Sequence, residues 1–179
     1  MKKGLLIIDV QQDYFPGGKM PLVQPEAALK QINRLEEHFL QNDLPIIYIQ
    51  HVKYDLKADF FKVGTKGVQL HPDLRTPAQS IIIKKLFPNS FFKTSLEKSL
   101  KKLGVQQLVI TGMMTHMCVD STTRASCELG FRPIVISDAA ATKDLAINGK
   151  LVTAADVQAA FLSALTSFAK VVTAEEFFE

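Results

Sequence analysis

Short runs of uninterrupted apolar residues alternate along the chain with longer stretches in which apolar residues recur every three or four positions. The uninterrupted runs are Gly4–Val10, Pro45–Val52, Ser80–Lys85, Gln107–Gly112, Pro133–Ser137 and Ala169–Thr173. A strand with one face in water alternates apolar with polar residues, so runs that are apolar throughout predict a parallel sheet covered on both sides. Between the first two runs, Ala28, Leu29, Ile32, Leu35 and Phe39 share one face of a predicted helix over Pro25–Gln41 that ends near Asn42. Further helices are predicted over Thr94–Leu103, stopped by Gly104, and over Thr115–Leu129, stopped by Gly130. A fourth spans Thr153–Phe168, with Thr153 as N-cap and Asp156 three residues later.

Strand–helix alternation of this kind predicts one α/β domain over residues 1–179. The expected architecture is a doubly wound, mainly parallel six-stranded sheet with helices on both faces, joined by right-handed crossovers. Neither a repeat nor a linker interrupts it. The one long irregular stretch, Lys53–Thr76, is broken by Gly64, Gly67 and Pro72. A connection of that length suits a lid or pocket wall, or equally a contact between subunits.

Composition narrows the function more than the fold. Hydrophobic residues make up 47% and charged residues 22%, ordinary for a compact protein. With 21 Lys+Arg against 18 Asp+Glu the net charge is only +3, and no basic stripe is interleaved with aromatics, so nucleic acid is not an expected partner. No run approaches the ~18 apolar residues of a membrane span. The apolar start Leu5–Ile8 breaks at Asp9, too short for a signal-peptide core. Cys118 and Cys127 fall on one predicted helix, about 13 Å apart along its axis and on roughly opposite faces, beyond disulfide reach. Two reduced thiols make the cytoplasm the expected location.

Ligands of open parallel sheets bind beyond the carboxyl ends of the strands. Asp9 ends the first run, Lys84 and Lys85 the third, Cys118 follows the fourth and Asp138 the fifth. An acid, an amine, a thiol and a second acid therefore gather along one edge. Taken singly, each has a plainer explanation: polar residues end strands, and a cysteine is often a small buried apolar group. Cys118 stands at the first turn of a predicted helix, where the macrodipole and free N–H groups favour a thiolate and can hold an oxyanion. His116 is two residues away and cannot face it on a helix. Gln11 and Phe15, on the loop after Asp9, are candidates to line the pocket, Phe15 equally for the core.

Three blocks in order make the chain resemble a known family. They are Asp9-Val10-Gln11-Gln12-Asp13-Tyr14-Phe15 with Gly17-Gly18, Lys85-Leu86-Phe87-Pro88-Asn89-Ser90-Phe91 leading to Thr94-Ser95-Leu96, and Gly112-Met113-Met114-Thr115-His116-Met117-Cys118-Val119 continuing through Thr122-Thr123-Arg124-Ala125 to Gly130 and Asp138-Ala139. Together they resemble the isochorismatase-like cysteine hydrolases, the group that includes nicotinamidases, N-carbamoylsarcosine amidase and ureidoacrylate amidases. The resemblance implies that family's Rossmann-like three-layer fold and a catalytic triad of Asp9, Lys85 and Cys118. Lys85 is preferred to Lys84 because the family lysine stands four residues before the Asn-Ser-Phe element. Cys118 is then the nucleophile that forms a thioester, Asp9 the general acid and base, and Lys85 their electrostatic partner. The resemblance also places an oxyanion hole at the backbone N–H groups of Met114 and Cys118, with a cis peptide between Met113 and Met114.

The implied reaction is hydrolysis of a small carboxamide, ureido or related acyl compound, with no cofactor. An alternative within the family is hydrolysis of a vinyl ether, but members with that activity lack the cysteine. A non-catalytic ligand-binding or redox-sensing domain is a third reading, although it has no need of the Asp9–Lys85 pair. Metal-binding nicotinamidases place an Asp and two histidines just after the second strand. Here His51 and Asp55 have no second histidine before His71, so no metal is expected and the four histidines are assigned to the surface or behind the site. The implied partners are a small-molecule substrate and further copies of the chain, as a dimer or tetramer, with Phe60-Phe61 and Phe177-Phe178 as candidate contacts or core. The whole reading requires the sulfur, carboxyl and ammonium groups to converge at an accessible place.

Overall fold

The structure, a computed structural model, describes all 179 residues. The elements run β1 (Lys3–Ile8), α1 (Pro25–Gln41), β2 (Ile46–His51), β3 (Ile81–Lys85), α2 (Leu96–Lys102), β4 (Gln107–Met113), α3 (Asp120–Glu128), β5 (Ile134–Ala141), β6 (Leu145–Ile147), β7 (Lys150–Val152), α4 (Ala154–Leu165), β8 (Lys170–Val172) and α5 (Ala174–Phe178). A 3-10 turn, Gln12–Tyr14, follows β1, and a π turn, Thr115–Val119, leads from β4 into α3.

Six strands form one sheet in the order β3-β2-β1-β4-β5-β8, with every neighbouring pair parallel. Successive residues of β1 explain its unbroken apolar run. Leu5 and Ile7 join Tyr48, Val109 and the apolar stripe of α1, whereas Leu6 and Ile8 join Ile47, Ile49, Ile110, Leu100 of α2 and Leu165 of α4. Each face thus buries its own layer, at roughly 1.5–3 kcal/mol per large apolar side chain. The order reverses between β1 and β4, from which the chain winds outward in both directions. The crevice beyond the ends of those two strands is where such folds bind ligands.

The sequence predicts α1 to the residue and the six sheet strands to within a residue or two, apart from β5. That strand continues to Ala141 because a bulge resets its pairing, with Ile110 opposite Val135 but Gly112 opposite Ala140. The helix predicted over Thr115–Leu129 opens as the π turn and becomes α-helical only at Asp120. The β6–β7 hairpin and α5 were not predicted, although each carries a local signal. The hairpin turns at Asn148-Gly149, both with positive φ. Helix α5 starts from a capping box between Thr173 and Glu176. Phe61 is fully buried, and Phe177 and Phe178 pack against the core around Phe39.

Residues 53–76 contain no strand or helix, yet they are anchored throughout. Phe61, Val68 and Leu74 are buried, and Leu70 forms an isolated bridge to Gln11. The Asp13 carboxylate accepts the Phe61 N–H at 2.6 Å, and Gly67 lies so close that a Cβ there would sit 2.0 Å from Asp13 Oδ1. At the far end the buried Glu36 accepts from the Arg75 N–H at 3.1 Å and from the Tyr48 hydroxyl at 2.7 Å. The segment is a fixed wall above the ends of β1 and β2.

Gly112 sets how closely β4 approaches β1. Its φ is +120°, and a Cβ would lie 2.0 Å from the Ile8 carbonyl oxygen. Gly112→Ala is expected to destabilise the protein by about 2 kcal/mol or more, read as a lower urea midpoint; an unchanged midpoint would show that β4 can move away from β1.

Candidate active site

Asp9 is the first residue beyond β1. Its N–H still donates to Ile49 O at 3.1 Å, but its φ of +52° turns the chain out of the strand. A left-handed conformation is strained for a residue with a side chain and tends to collect at functional sites. The turn leaves the Asp9 carboxyl fully buried at the crevice.

Lys85 arrives from β3, two strands away, paired in register with His51 of β2. Adjacent strand residues point to opposite faces, so Lys85 is buried while Lys84 is exposed. The Lys85 ammonium lies 2.8 Å from Asp9 Oδ2 and donates to the carbonyls of Phe87 at 3.1 Å and Pro88 at 3.0 Å. The contact with Asp9 is an ion pair rather than an aligned hydrogen bond, and Asp9 Oδ1 has no hydrogen-bond partner. Ser90 ties this loop to α3, its N–H donating to Thr122 Oγ1 at 3.0 Å. The second and third sequence blocks are thereby joined next to the cysteine.

Cys118 lies in the π turn, 3% exposed. Its sulfur is 3.9 Å from His51 Nδ1, and the ligating atoms of Asp9, His51 and Cys118 all fall within 4.8 Å of one another. The three side chains expected to converge therefore do so, with a fourth among them, but at a buried place and not at the accessible one the sequence reading required. The peptide bond between Met113 and Met114 is cis, and the Met114 N–H donates to no acceptor.

The electrostatics follow from burial and pairing. Burial opposes the charge on Asp9, but the Lys85 ammonium, with smaller help from His51 and the thiol, outweighs it and holds the carboxyl below its usual value. Burial likewise opposes the Lys85 charge, and Asp9 more than restores it. For Cys118, burial and then the Asp9 charge drive the thiol well above its ordinary value, against the pull of Lys85. The expectation of a resting thiolate is thus corrected. The site rests as carboxylate, ammonium and neutral thiol, because desolvation and an anionic neighbour outweigh a helix end that here is a wide turn.

Other candidates fall elsewhere. Asp138 caps α5, accepting the Ala174 N–H at 2.8 Å. His116 Nδ1 meets Thr142 Oγ1 at 2.6 Å. Gln11, expected to line the pocket, instead donates both amide protons to His51 O and Val68 O, at 2.9 and 2.8 Å, and accepts the His51 N–H at 2.8 Å. It clamps the end of β2 and offers a ligand no donor. Phe15 is 5% exposed, packs tilted against His71 with centroids 4.1 Å apart, and lines a hollow of about 470 Å³ that none of Asp9, Lys85 and Cys118 lines.

His51 is the residue sequence reasoning misplaced. It is buried within the cluster, and its position at the carboxyl end of the strand beside β1 was the available signal. The metal arrangement of nicotinamidases does not fit this chain. His51 faces the cysteine, His71 faces Phe15, and Asp55 accepts the Lys57 N–H. Asp9, His51 and Cys118 would themselves suit a thiophilic ion, but the Lys85 ammonium sits 2.8 Å from one donor and 3.4 Å from another.

The protein is thus a parallel α/β domain with a cysteine, a carboxylate and an ammonium buried together at the switch point of its sheet. The isochorismatase domain model matches residues 3–176, and the chain belongs to that family, as an isochorismatase-family hydrolase. It is 43% identical over 178 residues to the uncharacterized isochorismatase family protein YddQ of Bacillus subtilis, covering 99% of each chain. A crystal structure from Oleispira antarctica is 43% identical with a TM-score of 0.95, covering 98% of this chain and 95% of that one. Streptothricin hydrolase of Streptomyces noursei is 28% identical over 144 residues, 80% of this chain and 51% of its own length.

Since the folded protein holds the Cys118 proton more tightly than the unfolded chain, this group lowers stability as pH rises above the ordinary thiol value of about 9. Cys118→Ala should therefore flatten the alkaline loss of stability in urea titrations run from neutral to high pH; parallel curves for the two proteins would contradict the assigned thiol state.

Proposed function

We propose that the protein is a cysteine hydrolase that cleaves a small carboxamide, ureido or related acyl compound through a thioester. The observation that carries this reading is the convergence of Asp9, Lys85 and Cys118, from three separate strand ends, into one buried cluster. A buried carboxylate with one unpartnered oxygen next to a neutral thiol is placed to act as base at the moment of attack. Asp9 takes the thiol proton as sulfur bonds to the carbonyl carbon, and passes it to the departing amine or ammonia as the C–N bond breaks. Lys85 keeps its proton throughout and balances the negative charge as it moves from carboxylate to sulfur to substrate oxygen.

The unpartnered Met114 N–H, with that of Cys118, would hold the tetrahedral oxyanion. Asp9 then activates a water that hydrolyses the thioester. Cys118 is only 3% exposed and Asp9 and Lys85 less, so the reading requires neighbouring side chains to move aside before a substrate reaches the sulfur. The name of the streptothricin relative supports an amide-like substrate, and the chemistry needs no cofactor. Assembly into a homo-oligomer belongs to the same proposal.

A panel of small amides, ureido acids and nicotinamide, assayed for ammonia release, tests the reading. Cys118→Ala should abolish turnover, and substantial remaining activity would overturn the mechanism. Asp9→Asn and Lys85→Ala should each lower kcat/KM by about 100-fold or more. Lys84→Ala, on the other face of β3, should leave it unchanged; if Lys84→Ala were the crippling change, the assignment of Lys85 would fall.

A further inference from the structure

The Lys85 ammonium has three protons, and two of them go to the carbonyls of Phe87 and Pro88. The ammonium also lies 2.8 Å from Asp9 Oδ2, as an ion pair, and 3.4 Å from His51 Nδ1, which is itself 3.8 Å from Asp9 Oδ2. An ammonium group only donates, so Nδ1 can accept from it only in the neutral tautomer that carries its proton on Nε2. The same Nδ1 is 3.9 Å from Cys118 Sγ, within reach of a thiol proton.

The backbone holds this ring in place from both sides. The Gln11 amide accepts the His51 N–H and donates to the His51 carbonyl, while register pairing sets His51 beside Lys85. The groups facing the ring are Asp9 beyond β1, Lys85 of β3, Cys118 of the π turn and Phe61 of the wall.

We propose that His51 is a positioning residue of the hydrolytic site: a neutral imidazole whose Nδ1 lone pair faces the Lys85 ammonium and fixes it beside Asp9 and Cys118. With Lys85 held against Oδ2 of Asp9, Oδ1 is left free to take the thiol proton. This rests on the assignment of Cys118 as nucleophile. It gives the site a requirement the triad alone lacks, an acceptor at residue 51 for the ammonium.

Long-range nitrogen–proton correlation spectra of the full-length protein, with His51 assigned by its loss in His51→Asn, read the tautomer without any substrate. The expected result near neutral pH is a bare Nδ1 and a protonated Nε2; a proton on Nδ1 would overturn the proposal. Labelling of Cys118 by iodoacetamide, followed by mass spectrometry, provides the functional arm. In His51→Asn an amide oxygen can replace Nδ1 against the ammonium, so labelling should persist near the wild-type rate. His51→Leu, which has no acceptor, should slow labelling by about 100-fold at an unchanged melting temperature. Equal rates in the two variants would sink the idea. Failure of the parent reading is separable: Cys118→Ala retaining hydrolysis would remove the nucleophile without changing the tautomer.

Discussion

The ion pair between Lys85 and Asp9 is the constraint around which the rest of the site is arranged. Both groups are withdrawn from water, where an unpaired charge costs several kcal/mol, and losing one partner of such a pair typically costs about 3–5 kcal/mol. The pair is tolerable only because the ammonium has further acceptors in Phe87 and Pro88, which the turn after β3 directs back toward it. A hydrophobic pair of similar size would stabilise the fold at least as well. What it does that an apolar pair could not is keep a carboxylate ionised next to a thiol that burial keeps protonated.

Topology explains why these groups meet. Strands β1 and β4 are neighbours at the reversal of the winding order, so Asp9 and the π turn leave the sheet side by side. Gly112 lets β4 approach β1 closely, and the turn that follows brings Cys118 to the Asp9 carboxyl. Lys85 comes from the edge strand, and its length spans β2 to reach the same point. His51, on the intervening strand, lies along that path and fills the space beside the ammonium.

The wall over the site is held by polar anchors more than by regular structure. Asp13 ties Phe61, Gln11 ties Val68 and the end of β2, and Glu36 ties Arg75. Each anchor is a buried side chain bonded to backbone groups that have no strand or helix to satisfy them, which is how an irregular segment can be buried at all. The position of the wall and the geometry of the Asp9, Lys85 and Cys118 cluster are thus linked through Gln11 and Asp13, in the same loop that begins at Asp9.

Much of this was legible in the residues. Doubly apolar strands announced a covered parallel sheet, the spacing of Ala28 to Phe39 fixed α1, and strand ends gathered Asp9, Lys84, Lys85, Cys118 and Asp138 along one edge, from which the family resemblance selected Asp9, Lys85 and Cys118. Local signals for the β6–β7 hairpin and for α5 were present but weaker than the strand pattern around them. Other features depend on non-local placement. The sequence could not show that Gln11 turns its amide to backbone carbonyls, that Asp138 caps α5, that His51 joins the cysteine or that Cys118 rests as a thiol. Periodicity and strand ends are properties of a few adjacent residues, so the chain by itself determined the layers and which edge bears the reactive groups. Hydrogen-bond partners and proton affinities are set by distances between segments remote in sequence and by the water excluded between them, and only the folded structure decided those.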